Sequence, residues 1–511
     1  MRRHPTLPVA QLVTLLAGFA LVLASGAAAA TIHGSSRSEL IAGTPAADRV
    51  SAGAGADRIQ VAFGGLDRVD CGAGVDIVSA DVGDRVAPSC EVVSRRLSVD
   101  PYRNGDSQHE TAVEPDSFAF GSTVVAAYQV GRRAAGAASN IGTAVSTDAG
   151  RTWVRTFLPG TTGNSSPPGP ELAVSDPAVA YDAAHAVWLV SSLGIERSSS
   201  HVYVSRAADG KSWSPPVDAA EGPVLDKEWI ACDNGAASPF RGRCYLEYSD
   251  DAKNVTVSQF SDDGGVSWSP GVSTESALVG TQPVIRPNGT LVVVAGDYRG
   301  EQARSGSMVA LRSTDGGTSF ARIVVSDLQA TENDPLRAIA LPSVDADSNG
   351  TIYAVWHDCR FRASCARNDL VMSTSPDGAT WSAPARLPLA PASSGKSFFI
   401  PGIAADPTRP GRLGLVYAYF QDGLCARSAC LLGIGLAQSA DAGRTWSVQR
   451  LDAQPFSTSW LPRADGGRMV GDYFSTSFAG GRIVPVFALA APPLGTRFRV
   501  GTFAASLRVG G

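Results

Sequence analysis

An eight-residue string recurs along this chain, and its spacing limits what the chain can fold into. Ser146-Thr147-Asp148-Ala149-Gly150-Arg151-Thr152-Trp153 is one copy. Ser261 to Trp268 (SDDGGVSW), Ser313 to Phe320 (STDGGTSF) and Ser439 to Trp446 (SADAGRTW) repeat it. Looser copies end in Asp209-Gly210-Lys211-Ser212-Trp213 and Asp377-Gly378-Ala379-Thr380-Trp381. Neighbouring copies lie roughly 50 to 70 residues apart, the spacing of a repeated structural unit. Each follows an apolar strand run, such as Val255-Thr256-Val257-Ser258, and precedes a short strand. A hairpin turn there needs a short polar side chain to accept backbone N–H bonds, which the Asp supplies. It needs a Gly that can take positive φ. The Trp ring pins the hairpin to its sheet. All three roles are structural, so the strings fix the fold and leave the chemistry to other residues.

The pattern S-x-D-x-G-x-x-W resembles the Asp box of the bacterial sialidase superfamily. That resemblance implies an all-β chain with a β-propeller over residues 96–511. With the boxes as a ruler, each blade has strands A, B and C, then a box, then D. The first six blades start near Gln108, Asp176, Asp226, Gln282, Pro342 and Pro401. A seventh follows the last box: Met469-Val470-Gly471-Asp472-Tyr473 reads as its A strand, Arg482 to Phe487 as B and Arg497 to Gly501 as C. Its fourth strand is expected from Arg96-Leu97-Ser98-Val99. Seven blades are favoured over six, although sialidases have six.

Residues 1–30 read as a signal peptide, with Arg2, Arg3 and His4 ahead of an apolar run from Leu12 to Leu23 and small residues at Ala27 to Ala30. No second long apolar run follows, so a soluble, secreted product with no membrane span after leader removal is expected. A net charge of −5 without a basic cluster argues against nucleic acid as a partner. The 8 cysteines fall into close pairs: Cys71 with Cys90, Cys232 with Cys244, Cys359 with Cys365, and Cys425 with Cys430. In an exported chain such pairs read as disulfides.

Residues 31–95 have another rhythm. Asp48-Arg49-Val50, Asp57-Arg58-Ile59, Asp67-Arg68-Val69, Asp76-Ile77-Val78 and Asp84-Arg85-Val86 recur about every nine residues. Gly53-x-Gly55-x-Asp57-x-Ile59 and Gly72-x-Gly74-x-Asp76-x-Val78 resemble the haemolysin-type (RTX) calcium-binding nonapeptide. That implies a small β-roll or β-solenoid, with Ca2+ held by hard oxygens of Asp57, Asp67 and Asp76. Ala46 and Phe63 replace expected glycines, and a calcium-free solenoid stapled by Cys71–Cys90 is the alternative. No organic cofactor is expected. A second string, Asp345-x-Asp347-x-Asn349-Gly350, reads as an Asn-Gly hairpin.

In a propeller, strand-A starts and strand-B exits share the face opposite the boxes. His109, Glu110, Asp176, Asp226, Lys227, Glu228, Asp472 and Tyr473 stand at strand-A starts. Arg132, Asp297, Tyr298, Arg299, His357, Asp358 and Arg360 stand at strand-B exits. Acids, arginines and tyrosines thus converge on one mouth. The sialidase resemblance implies arginines for the sugar carboxylate, an Asp acid/base and a Tyr–Glu nucleophile pair. Asp358, Tyr473, Glu228, Asp226 and Asp472 are the catalytic candidates. Arg132, Arg299, Arg360, His109, Glu110 and Tyr298 are the ligand-binding ones. Asp358 and Arg360, on a turn closed by Cys359 and Cys365, are expected at the centre. The F-R-I-P motif that brings the first arginine in sialidases is missing; the nearest string, Phe398-Phe399-Ile400-Pro401, lacks the Arg. The reading is a secreted sialidase-like glycoside hydrolase acting on an acidic or other extracellular glycan or glycoconjugate. A non-catalytic propeller binding glycan or protein at the cell surface is the alternative, with a polysaccharide lyase as a third possibility.

Overall fold

The computed structural model describes residues 20–23, 28–274, 276–299, 304–423, 425 and 430–510. The leader expected over residues 1–30 lies largely outside these, though the backbone of Ala20–Leu23 pairs in parallel with Glu39–Ala42. Among the described residues no helix is long and apolar enough to cross a membrane.

The Asp-x-apolar triplets form a parallel β-solenoid. Thr31–His33, Arg49–Ser51, Arg68–Asp70 and Arg85–Val86 make one sheet. Glu39–Ala42, Arg58–Gln60, Ile77–Asp81 and Val92–Arg96 lie in the other. Ile32, Ile41, Val50, Ile59, Val69 and Val78 fill the space between them. The glycines are required by stacking: a Cβ on Gly72, at φ +84°, would meet the Gly53 carbonyl oxygen at 1.8 Å. Phe63, where a glycine was expected, takes the positive φ itself, at 67°. Its ring packs edge-on against Phe503, docking the solenoid on the propeller.

Among the described residues, seven antiparallel four-stranded blades follow. Blade 1 comprises Ala112–Phe120, Thr123–Arg132, Ala138–Ser146 and Val154–Phe157. Blade 2 runs from Ala173–Asp182 to Val217–Gly222, blade 3 from Leu225–Cys232 to Val272–Ser273, and blade 4 from Val279–Ile285 to Ala321–Gln329. Blade 5 runs from Ser343–Ala346 to Ala385–Arg386 and blade 6 from Ser397–Ala405 to Ser447–Arg450. Blade 7 has Ser475–Ala479, Arg482–Ala490 and Val500–Ala505, and its outer strand is Val92–Arg96. The inner strands neighbour one another in a closed ring, last on first.

Two expectations shift. The inner strand of blade 7 begins at Ser475, leaving Asp472 and Tyr473 in the segment that leads into it. The closing strand is Val92–Arg96, a few residues earlier than expected, because those residues also pair in parallel with Ile77–Asp81 of the solenoid. One strand therefore belongs to both sheets, and the solenoid runs directly into blade 7.

The boxes do what their residue types require. Asp148 Oδ1 accepts from the backbone N–H of Arg151 and Thr152, at 3.0 and 2.8 Å. Ser146 Oγ accepts from Gly150 N at 2.8 Å, and Trp153 Nε1 donates to the Gly150 carbonyl at 3.1 Å. Asp263, Asp315 and Asp441 repeat the pattern. Asp347 accepts from Asn349 and Thr351 backbone N–H groups in a plain hairpin. All four disulfides join the cysteines paired by proximity in sequence.

Candidate functional site

One local irregularity builds the mouth. The inner strands of blades 1, 2, 3, 4 and 6 each lose register by a bulge, between Val113 and Asp116, Ser175 and Ala178, Asp226 and Trp229, Val279 and Gln282, and Phe399 and Gly402. The first bulged residue has positive φ each time: Glu114 at 52°, Asp176 at 45°, Lys227 at 53°, Gly280 at 69° and Ile400 at 51°. Bulges re-aim side chains, and non-glycine residues in this region of φ carry strain that clusters at functional sites. In blades 1 to 3 the re-aimed side chains are charged, and they meet.

Lys227 is the hub. Its Nζ lies 2.9 Å from Asp472 Oδ2, 3.3 Å from Asp176 Oδ1 and 3.8 Å from Glu114 Oε1. Arg337 Nη2 reaches Asp472 Oδ2 at 3.1 Å, and Arg132 Nη1 reaches Glu114 Oε2 at 3.5 Å. Gln129 donates to Glu114 and, at 2.9 Å, to Ser175 Oγ. The side chain of Arg337 is 33% exposed, whereas the other five charged groups are buried.

The surroundings push these carboxyls apart. Burial raises Glu114 to about 7, against the pull of Lys227. Burial also acts on Asp472, yet Lys227 and Arg337 hold it down to about 2. Burial opposes the Lys227 charge, but Asp176, Asp472 and Glu114 push its ammonium well above the usual value. Opposed shifts in neighbouring carboxyls accompany separate acid and base roles, and structural ion-pair networks produce them as well.

A cavity of about 340 Å³ is lined by Arg304, Glu332, Asn333, Arg337, His357 and Asp465 among others, and Arg337 is the network residue that reaches it. Arg304 pairs with Glu332. His357 is buried with Nδ1 unpartnered, and burial lowers it to about 4, so it is neutral at physiological pH. A larger cavity, about 580 Å³, opens at the far, box-side end of the inner strands. Most of its lining residues are apolar, with Asp116, Gln282, Arg286 and Asp345 among the polar ones, and the smaller cavity, which holds two arginines and a histidine, is the site candidate.

The sequence candidates divide. Asp472 is in the network. Tyr473 packs edge-on against Trp229, lies under Lys227, and directs its hydroxyl at the Pro177 carbonyl, 3.4 Å away. Burial raises it well above its usual value. Glu228 is fully buried with both oxygens unpartnered, and burial raises it well above its usual range; burial likewise raises Asp226 to about 6. Arg132 joins Glu114. Tyr298 donates to the Ala340 carbonyl at 2.8 Å, and Arg299 is exposed. His109 is held by Asp100 and the Asn104 carbonyl, while Glu110 pairs with Arg497.

Asp358 and Arg360 pair with each other rather than with the hub. Arg360 Nε and Nη2 donate to the two Asp358 oxygens at 2.9 and 2.7 Å, and Nη1 donates to Ser326 Oγ. Among the described residues no ion pair joins them to Lys227. Glu114, Gln129 and Arg337 were missed by the sequence reading. A signal was present: an x-Pro step recurs at the bulges in Glu114-Pro115, Asp176-Pro177 and Ile400-Pro401. Proline inside a strand marks a bulge. Arg337 carries no repeat signal.

In the solenoid the aspartates form two rows. Asp57 Oδ1 accepts from Glu39 N at 2.8 Å and Asp76 Oδ1 from Asp57 N at 2.7 Å. Asp67 belongs to the other row, accepting from Asp48 N at 2.6 Å and followed by Asp84. Asp57 and Asp76 thus share one row and Asp67 stands in the other. The Oδ2 atoms of Asp57, Asp67 and Asp76 are buried without a partner. Burial raises Asp57 to about 6 and Asp67 to about 7. Orphaned, desolvated carboxylate oxygens in stacked rows fit a hard cation such as Ca2+.

A profile of the BNR repeat-like domain matches residues 122–391. The chain belongs to the BNR repeat-like family. The fold is thus a sialidase-type propeller carrying an N-terminal solenoid whose aspartate ladder is consistent with calcium-binding repeats. No curated protein matches the chain in sequence. Among solved structures it is similar to the Hadza microbial sialidase Hz136, at 17% identity and a TM-score of 0.41 over 70% of each chain. It is also similar to the α-L-arabinofuranosidase Arb93A of Fusarium graminearum, at 15% identity and a TM-score of 0.36, over 56% of this chain and 93% of that one. A PL25 ulvan lyase shares 11% identity at a TM-score of 0.46, over 80% of this chain and 97% of that one.

Proposed function

We propose that this BNR propeller is a secreted glycoside hydrolase acting on an acidic extracellular glycan at the mouth opposite the boxes. One observation carries the reading: Glu114, raised to about 7, and Asp472, held to about 2, both lie on Lys227 Nζ. Their nearest oxygens are therefore at most about 6.7 Å apart, a range that includes the roughly 5 Å separation of retaining glycosidase pairs. Glu114 then serves as proton donor and Asp472 as the ionised partner. Arg337, with Arg304 across the cavity, suits a sugar carboxylate or sulfate, since a guanidinium fork binds two oxygens at once. Tyr473, Glu228 and Asp226 support the network from below. Ca2+ in the solenoid stiffens the strand shared with blade 7 and takes no part in the reaction.

A second reading is favoured by one specific feature. Glu114 and Asp472 are 1% and 3% exposed, behind Arg337. A propeller that only binds an acidic glycan needs no more than the arginines. The deciding experiment screens the purified protein against aryl glycosides, including a sialoside and a uronide, and against acidic oligosaccharides for binding. The enzyme reading expects turnover that Glu114→Gln reduces by about a hundredfold or more, as loss of a general acid does. Binding without turnover would establish the second reading instead.

A further inference from the structure

We propose that Glu171, Glu196 and His201 form a binding site for one divalent transition-metal ion on the rim of blade 2, separate from the mouth network. Glu171 leads into the inner strand Ala173–Asp182, Glu196 follows Val187–Ile195, and His201 begins Ser200–Ala207. Strand-A start, strand-B exit and strand-C start meet on the box-free face, so the fold brings these residues together at that rim. One ligand atom from each lies within 4.8 Å of the others. Ligand bonds of about 2.1 Å set tetrahedral edges near 3.4 Å, so a modest closure completes the site. Glu196 is exposed and can supply that closure.

Each supporting group is in place. Metal-bound imidazole characteristically gives its other nitrogen to a carboxylate. Here His201 Nδ1 faces Asp218 Oδ2 at 2.9 Å, which leaves Nε2 for the ion. The Tyr203 hydroxyl donates to Glu171 Oε1 at 2.5 Å, and its ring stacks on His201 at 5.5 Å. That leaves Glu171 Oε2, buried without a partner on a residue only 2% exposed. A buried, orphaned carboxylate oxygen beside a second carboxylate is costly unless a cation compensates it. The donor set, one imidazole and two carboxylates, suits Zn2+ and its first-row neighbours better than Ca2+. Three protein ligands leave a fourth position open.

The test uses the whole secreted chain, stripped with chelator and kept in excess Ca2+ so that the solenoid is saturated. Zn2+ alone is titrated calorimetrically. One equivalent should bind, His201→Ala should weaken it about a hundredfold or more, and Asp218→Asn about tenfold through loss of imidazole orientation. Glu196→Gln should also weaken binding about tenfold or more, with metal-free melting unchanged because the side chain is exposed; it keeps the test valid if His201→Ala misfolds. Co2+ should give a visible absorption band that His201→Ala abolishes. Wild-type protein that takes up no Zn2+, or Glu196→Gln and His201→Ala proteins that bind it as wild type does, would overturn the proposal.

Discussion

Replacing Lys227 by Met tests whether the mouth is held by charge. The ammonium faces three buried carboxylates at 2.9, 3.3 and 3.8 Å. Without it, Arg337 still serves Asp472 and Arg132 still serves Glu114, but Asp176 loses the one cation paired with it among the described residues. Removing one partner of a buried pair costs about 3–5 kcal/mol, mostly as uncompensated charge. Unfolding entropy of about 2.1 cal/mol/K per residue over roughly 400 propeller residues gives about 0.8 kcal/mol/K. The melting temperature should therefore fall by about 4–6 °C at pH 7.5. The fall should be smaller at pH 5, where Glu114, raised to about 7 by burial, already carries a proton. Lys227→Met combined with Asp176→Asn should recover part of the loss, because neighbours in one network are not additive. Differential scanning calorimetry reads all three. A Lys227→Met protein that melts within a degree of wild type at pH 7.5 would refute the hub.

The same network sets a pH dependence. Asp472 is depressed to about 2, so its contribution is present above about pH 4 and is lost as pH falls through 2; Glu114 is raised to about 7, so its contribution is full below about pH 4.5 and fades as pH rises through 7. Glu114→Gln should flatten the stability profile between pH 5 and 8 in urea titrations, and an unchanged slope would assign the titration elsewhere. Asp263→Ala removes the acceptor for the Val266 and Ser267 N–H groups, both at 3.0 Å, and should cost about 1–3 kcal/mol with no change in turnover or ligand binding. Ca2+ should protect residues 31–95 from limited proteolysis, and Asp76→Asn should weaken that protection; equal cleavage with Ca2+ and with chelator would leave the solenoid calcium-free.

How much the sequence disclosed depends on how local each cause is. The boxes were legible because Ser, Asp, Gly and Trp satisfy one another within eight residues, and that ruler yielded seven blades. The disulfides were legible for the same reason, since each closes a short loop. The shared strand was misplaced because Val92–Arg96 is specified by two partners, Ile77–Asp81 and Val500–Ala505, far apart in sequence. At the mouth, sequence placed Asp472, Lys227 and Asp176 on the box-free face, where they meet, and expected the centre at Asp358 and Arg360, which pair with each other. That pair sits two residues apart and satisfies itself, which a string of letters displays as a cluster of chemistry. Glu114 drew no attention because its role depends on a bulge that turns its side chain inward. The rim cluster of Glu171, Glu196 and His201 is assembled from three strand ends and has no motif.

The central claim is that ligands enter by the charged mouth and not by the larger box-side cavity. Calorimetry with an acidic oligosaccharide selected in the glycan screen decides it. Arg337→Ala alters the mouth, and Ser348→Trp, at an exposed position, obstructs the opposite cavity. The account predicts that Arg337→Ala weakens binding about tenfold or more, as expected for loss of about 1.5–3 kcal/mol of charge-assisted hydrogen bonding, while Ser348→Trp binds as wild type does. Binding that survives Arg337→Ala and is lost in Ser348→Trp would place the working site on the box side and contradict it.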